Sequence, residues 1–109
     1  MTTASLPTLP TAAFGMFHMS AGLTERFGDM AQLVAGQLFA KHTRNDWGDL
    51  CPEDKEANAE VLLTGEGRLM SSYEVAGTKV WVISYIQSDP ELQAQPDYCN
   101  TCALLPEDY

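Results

Sequence analysis

RLMSSYEVAGTKVWVISYIQ, running from Arg68 to Gln87, is the stretch on which the fold turns. Leu69, Ser71 and Tyr73 alternate with Met70, Ser72 and Glu74, the two-residue period of a strand with unlike faces. The second half, KVWVISYI, is rich in β-branched and aromatic residues, which suit a half-buried pleated surface. Gly77-Thr78 offers the turn between them. The stretch therefore reads as a β-hairpin. Downstream, SDPELQAQPDYCN is polar, holds two prolines and reads as an excursion, and TCALLP returns as a last short strand.

Upstream the period changes to that of a helix. In DMAQLVAGQLFAKHTRN, from Asp29 to Asn45, the residues Met30, Leu33, Val34, Leu38 and Phe39 fall on one face at three- and four-residue spacing. Asp29 is expected to cap this helix, and Lys41, His42 and Arg44 to place positive charge at its negative dipole end. Asn45 or Gly48 supplies the left-handed residue that ends it. Pro52 fits the first turn of a second helix, followed by Glu53, Asp54 and Glu56, with Ala57, Val61 and Leu62 on the apolar side. Gly65 and Gly67 stop it. Nearer the start, AFGMFHM (13–19) is short and apolar enough for a buried strand, and Ser20 caps a helical turn running through Phe27.

The order is strand, helices, then a β-meander. It predicts an α+β domain in which two main helices pack on a small antiparallel β-sheet. Residues 1–11, with Pro7 and Pro10, are expected to form a disordered leader, and residues 12–109 a single domain. The expected core is Leu33, Val34, Leu38, Trp47, Val61, Leu62, Leu69, Val80, Val82 and Leu104.

Charge excludes one class of partner. The chain of 109 residues carries 15 acidic and 6 basic side chains, a formal charge of −9. Only Glu25, Asp29, Asp46 and Asp49 precede residue 53, so the negative field belongs to the second half. Such a field repels nucleic-acid phosphates and attracts basic protein surfaces. Glu53, Asp54, Glu56, Glu60, Glu66, Asp89, Glu91 and Asp97 are the candidate contact groups. No apolar run is long enough to cross a bilayer, and the N-terminal stretch lacks the basic start and apolar block of a signal peptide. With three cysteines, an odd number, free thiols in the cytoplasm are expected.

HTRNDWGDLCPEDKEAN, from His42 to Asn58, is the densest polar run. Every residue in it suits a tied-down connection between two helices. Trp47 is an apolar anchor, Gly48 permits an unusual backbone angle, and Asp46 and Asp49 can accept from loop amides. Two chemical readings compete with this one. In the first, His42 pairs with Asp46 or Asp49 as the base of a hydrolase, although no nucleophile motif accompanies them and Ser71, Ser72 and Ser84 fall at strand positions. In the second, Cys99 and Cys102, two residues apart in a CxxC, hold zinc together with Cys51 and His42 in a metal-stabilised regulatory module.

The same run, followed by RLMSSYEVAGTKVWVI and closed by LLPEDY, resembles a family of small uncharacterised proteins of bacterial plasmids, prophages and integrative elements. Members share a His shortly before DWGD, then RLxSxY, K[IV]W[IV]I and LLPE[DE]Y. The likeness covers His42 to Ile83 and Leu104 to Tyr109, and where members have a short linker this chain carries the longer stretch from Ser84 to Ala103. The resemblance supplies a mobile-element context more than a mechanism, since no enzymatic activity is established for the family. Together with the charge, it leads us to expect a non-catalytic, acidic protein-binding module. In its sharpest form this is an inhibitor of a host nucleic-acid-binding defence complex, of anti-CRISPR or anti-restriction type.

Overall fold

The structure is a computed structural model and describes residues 16–86 and 99–109. The expected leader and most of the polar excursion, with Asp89, Glu91 and Asp97, lie outside the described residues. Strand β1 (Met16–Met19) leads into helix α1 (Ala21–Phe27), a 3-10 turn (Gly28–Met30) and helix α2 (Ala31–Thr43). Helix α3 (Pro52–Thr64), strands β2 (Gly67–Val75), β3 (Thr78–Ile86) and β4 (Cys99–Leu104), and a closing 3-10 turn (Pro106–Asp108) follow. Two main helices pack against a four-stranded sheet ordered β1-β4-β3-β2. The fold is α+β, as the change of period predicts.

Strands β2, β3 and β4 form the expected antiparallel meander. The sheet is not wholly antiparallel, because β1 joins β4 in parallel. A parallel neighbour needs a long crossover, and the helices between β1 and β4 provide one. The hairpin register pairs Val75 with Thr78, so the turn is Ala76-Gly77 and not Gly77-Thr78. Both turn residues have positive φ, 51° and 78°, which matches the right-handed twist of the strands.

The alternation in β2 and β3 sends Leu69, Ser71, Tyr73, Val80, Val82, Ser84 and Ile86 to the helix-facing side, where all are buried. One apolar cluster joins Leu23, Ala31, Val34, Ala35 and Leu38 to Tyr73, Val80, Val82, Ala103 and Leu105. A second gathers Trp47, Leu50, Leu62, Leu69 and Ile86 beneath α3. Of the expected core, Leu33 is misplaced. It is 54% exposed, and Met30 is 53% exposed. The buried stripe of α2 is instead Ala31, Val34, Ala35, Leu38 and His42, rotated because small alanines let the helix lie close to the sheet and a histidine fills the last inward position. In α3, Val61 is only half-buried and Ala57 is exposed; Asn58 takes the inward place beside Leu62.

Helix ends follow local chemistry. Ser20 caps α1 by accepting from the Leu23 amide, and Pro52 opens α3 while Gly65, at φ 85°, closes it. Asp29 does not cap α2; it sits within the 3-10 turn that feeds the helix. The closing segment is fastened to the other end of the chain, since the Ser20 hydroxyl donates to Asp108 at 2.7 Å. Tyr109 accepts from Arg68 and packs edge-on against Trp81.

Candidate functional site

The polar run proves to be an edge cover. Strand β2 lies at the end of the sheet, and its outward backbone groups would be open to another strand. The Ser72 amide donates to the Trp47 carbonyl at 3.1 Å, and the Asp49 amide donates to the Ser72 carbonyl at 2.7 Å. One step along β2, the Asn58 side chain does the same for Met70, accepting from its amide at 3.1 Å and donating to its carbonyl at 2.7 Å. The loop Asp46–Asp49 and helix α3 therefore satisfy the strand edge with hydrogen bonds that ordinary pairing would have supplied. Gly48 is what permits the approach: its φ is +71°, and a Cβ there would lie 2.1 Å from the Ser72 carbonyl oxygen. Tyr73 adds a tie by donating its hydroxyl to the Asp46 carbonyl. Burial, with a contribution from nearby Asp46, pushes the Tyr73 hydroxyl up to about 12, so it stays a donor at neutral pH.

His42 is fully buried, at 0% exposure. Its Nδ1 lies 2.5 Å from the Ser71 hydroxyl and its Nε2 2.8 Å from the Ser84 hydroxyl. Ser84 in turn meets the Thr101 hydroxyl at 2.8 Å, so one polar chain links α2 to β2, β3 and β4. A neutral imidazole suits this place, with one ring nitrogen donating to a hydroxyl and the other accepting from one. Burial holds the His42 pKa down at about 4. This histidine therefore does not bring positive charge to the end of α2, as its position in the last turn suggested.

That placement separates the residues of the two chemical readings. Asp46 and Asp49 are exposed and line an open cleft of about 390 Å³ with Gln37, Lys41, Tyr73 and Glu74, while His42 lies in the core with hydroxyl partners. Cys51 sits exposed at the cap of α3 and Cys102 is half-buried on β4. Cys99 belongs to β4, but its side chain lies outside the described residues. Among the described residues no three His, Cys, Asp or Glu side chains converge on a point where one metal ion could sit. Of the expected set of Cys51, Cys99, Cys102 and His42, His42 turns to the core and Cys51 to the surface.

Ser71 and Ser84 were the partners that spacing around His42 did not suggest. Their strand parity carries the signal: each shares the inward face with apolar residues two positions away, Leu69 and Tyr73 for one, Val82 and Ile86 for the other. A polar residue on an inward face needs a buried partner.

The buried imidazole makes stability depend on pH. The unfolded chain protonates it near 6.5, whereas the folded chain resists until about 4. Over that window the unfolded state binds more protons. The histidine's contribution is therefore full above pH 6.5 and falls away as the pH drops toward 4. A loss of about 2 kcal/mol by about pH 5 is expected, and about 3 kcal/mol in all. Urea midpoints at the two pH values, for the parent and for His42→Gln, check this. The variant should be less stable at neutral pH but flatter in its pH response, and equal slopes would contradict the assignment.

The predicted acidic groups that the structure describes gather largely on α3. Glu53, Asp54, Glu56 and Glu60 are all exposed, and Glu66 follows, exposed, just beyond the helix. The arrangement is an α+β fold with an apolar core crossed by one buried polar chain and an acidic outer helix. Comparison with protein-family models, curated proteins and solved structures gave no match for this chain.

Proposed function

We propose that the protein is a non-catalytic, acidic protein-binding module that docks on a basic protein surface, such as the nucleic-acid groove of a host defence complex. One observation carries the reading: the outer face of α3. Glu53, Glu56 and Glu60 follow at three- and four-residue spacing, so they form one stripe about 10 Å long. Leu63, 70% exposed, continues the same stripe by one more turn. Carboxylates leading to an exposed apolar anchor suit a partner with a Lys/Arg cluster beside an apolar pocket. The helix is held from beneath by Asn58 and Leu62, its buried residues, which leaves this stripe to solvent. The engagement of His42 by serine hydroxyls inside the core supports a role without catalysis. The mobile-element resemblance supplies the context.

Affinity capture from a bacterial host, read by mass spectrometry, tests the proposal. The parent should retain a basic nuclease or effector subunit. The combined variant Glu53→Gln, Asp54→Asn, Glu56→Gln, Glu60→Gln should lose it, and the parent complex should weaken with added salt. Capture indifferent to both neutralisation and salt would refute a charge-driven partner.

A further inference from the structure

The exposed side of α2 has features that the fold itself does not use. Leu33 is 54% exposed in the middle of a helix. Gly36 is exposed too, and a Cβ built there would meet nothing within 4 Å. Glycine in a helix interior is unfavourable relative to alanine, and no neighbour among the described residues requires it. Ala40 completes an uncharged ridge on a chain whose net charge is −9. The ridge is bounded by opposite charges: exposed Asp29 in the turn before the helix, and exposed Arg44 at its C-cap.

These residues are self-complementary. Leu33, Gly36 and Ala40 follow at three- and four-residue intervals, which keeps them on one side of α2, and Asp29 in the turn before it and Arg44 at its C-cap continue the four-residue spacing. Their positions are symmetric about the Gly36–Gln37 bond. Leu33 and Ala40 stand equally far from it on either side, and so do Asp29 and Arg44. A two-fold axis at that bond would set an antiparallel copy of α2 across the first. Each Leu33 would then meet the small Ala40 of the second copy, and each Asp29 its Arg44. An isologous contact requires this pairing of a patch with itself. The absent Cβ of Gly36 lets the two backbones come close at the crossing.

We propose that α2 is a homodimer interface, occupied by a second copy of this chain packed antiparallel about Gly36–Gln37. A single helix pair is a small contact, so the dimer belongs to the micromolar range and forms with concentration. The local absence of acidic groups on the ridge, with the two Asp29–Arg44 pairs, offsets the repulsion between two acidic chains.

Analytical ultracentrifugation of the full chain at about 0.15 M salt, from low micromolar to about 1 mM, tests it. The parent should pass from monomer to dimer. Leu33→Glu should remain monomeric. Asp29→Arg and Arg44→Asp, each alone, should weaken the dimer about tenfold, since each sets two like-charge pairs across the axis. The double variant Asp29→Arg, Arg44→Asp should return to the parent's behaviour, and far-UV circular dichroism should show all of them folded. A parent that stays monomeric throughout, or reversals that dimerise as well as the parent, would overturn the interface. So would a double variant that fails to recover.

Discussion

Replacing Gly48 with alanine is expected to cost about 4 kcal/mol or more, among the largest single-residue effects available in this chain. Two penalties coincide. The backbone is held at φ +71°, where a side chain is strained. The new Cβ would also press on backbone, 2.1 Å from the Ser72 carbonyl oxygen, with the Tyr73 ring at 2.7 Å. Neither neighbour can swing away: Ser72 is held by β3 on one side and by Trp47 and Asp49 on the other. Relief requires the loop to lift off β2, which would reopen the strand edge and release the tryptophan beneath. Gly65→Ala is the natural comparison. Its φ is +85° with nothing within 4 Å, so strain acts there alone and a loss of about 1 kcal/mol is expected. Urea unfolding of both variants separates steric clash from strain. Equal losses would show that the contact with Ser72 is not what holds this loop.

Trp47→Ala should cost nearly as much, roughly 3–5 kcal/mol. Trp47 is only 8% exposed and packs with Leu50, Leu62, Leu69 and Ile86, so its removal empties the cluster that joins α3 to the sheet. Its indole Nε1 is buried and finds no acceptor among the described residues. The side chain therefore contributes through packing rather than hydrogen bonding. Trp47→Phe, which keeps much of the packing and removes the unsatisfied donor, should lose only about 1–2 kcal/mol. Thermal melts of the two variants would decide the point. A Trp47→Ala protein that melts like the parent would move this tryptophan from the core to a surface.

Both substitutions fall in DWGD. An anchor, a backbone-permissive glycine and two short acceptors were legible because each residue type has few uses in a connection between helices. What the connection does was not legible. It covers the edge of β2, and which strand lies at the edge depends on sheet order, fixed by β1 crossing over to pair with β4. Asn58 makes the same point. Its side-chain bonds to Met70 span 12 residues, and nothing in the local sequence says that this amide rather than Ala57 faces inward.

The elements are local in origin. The hairpin, both main helices, Pro52 at the start of α3 and the glycine at its end all follow from period and local backbone preference, which act over a few residues. Strand parity places Ser71 and Ser84 on the same face as Leu69, Tyr73 and Val82. Tertiary structure alone decided the rotation of α2 about its axis. Leu33 and His42 are both compatible with a helical stripe, and simple hydrophobicity favours burying leucine. The observed choice buries histidine because Ser71 and Ser84 meet it from two different strands and satisfy it, with Thr101 on a third strand backing Ser84. A buried polar group is tolerable only when its partners arrive together, and that convergence exists only once the chain has folded.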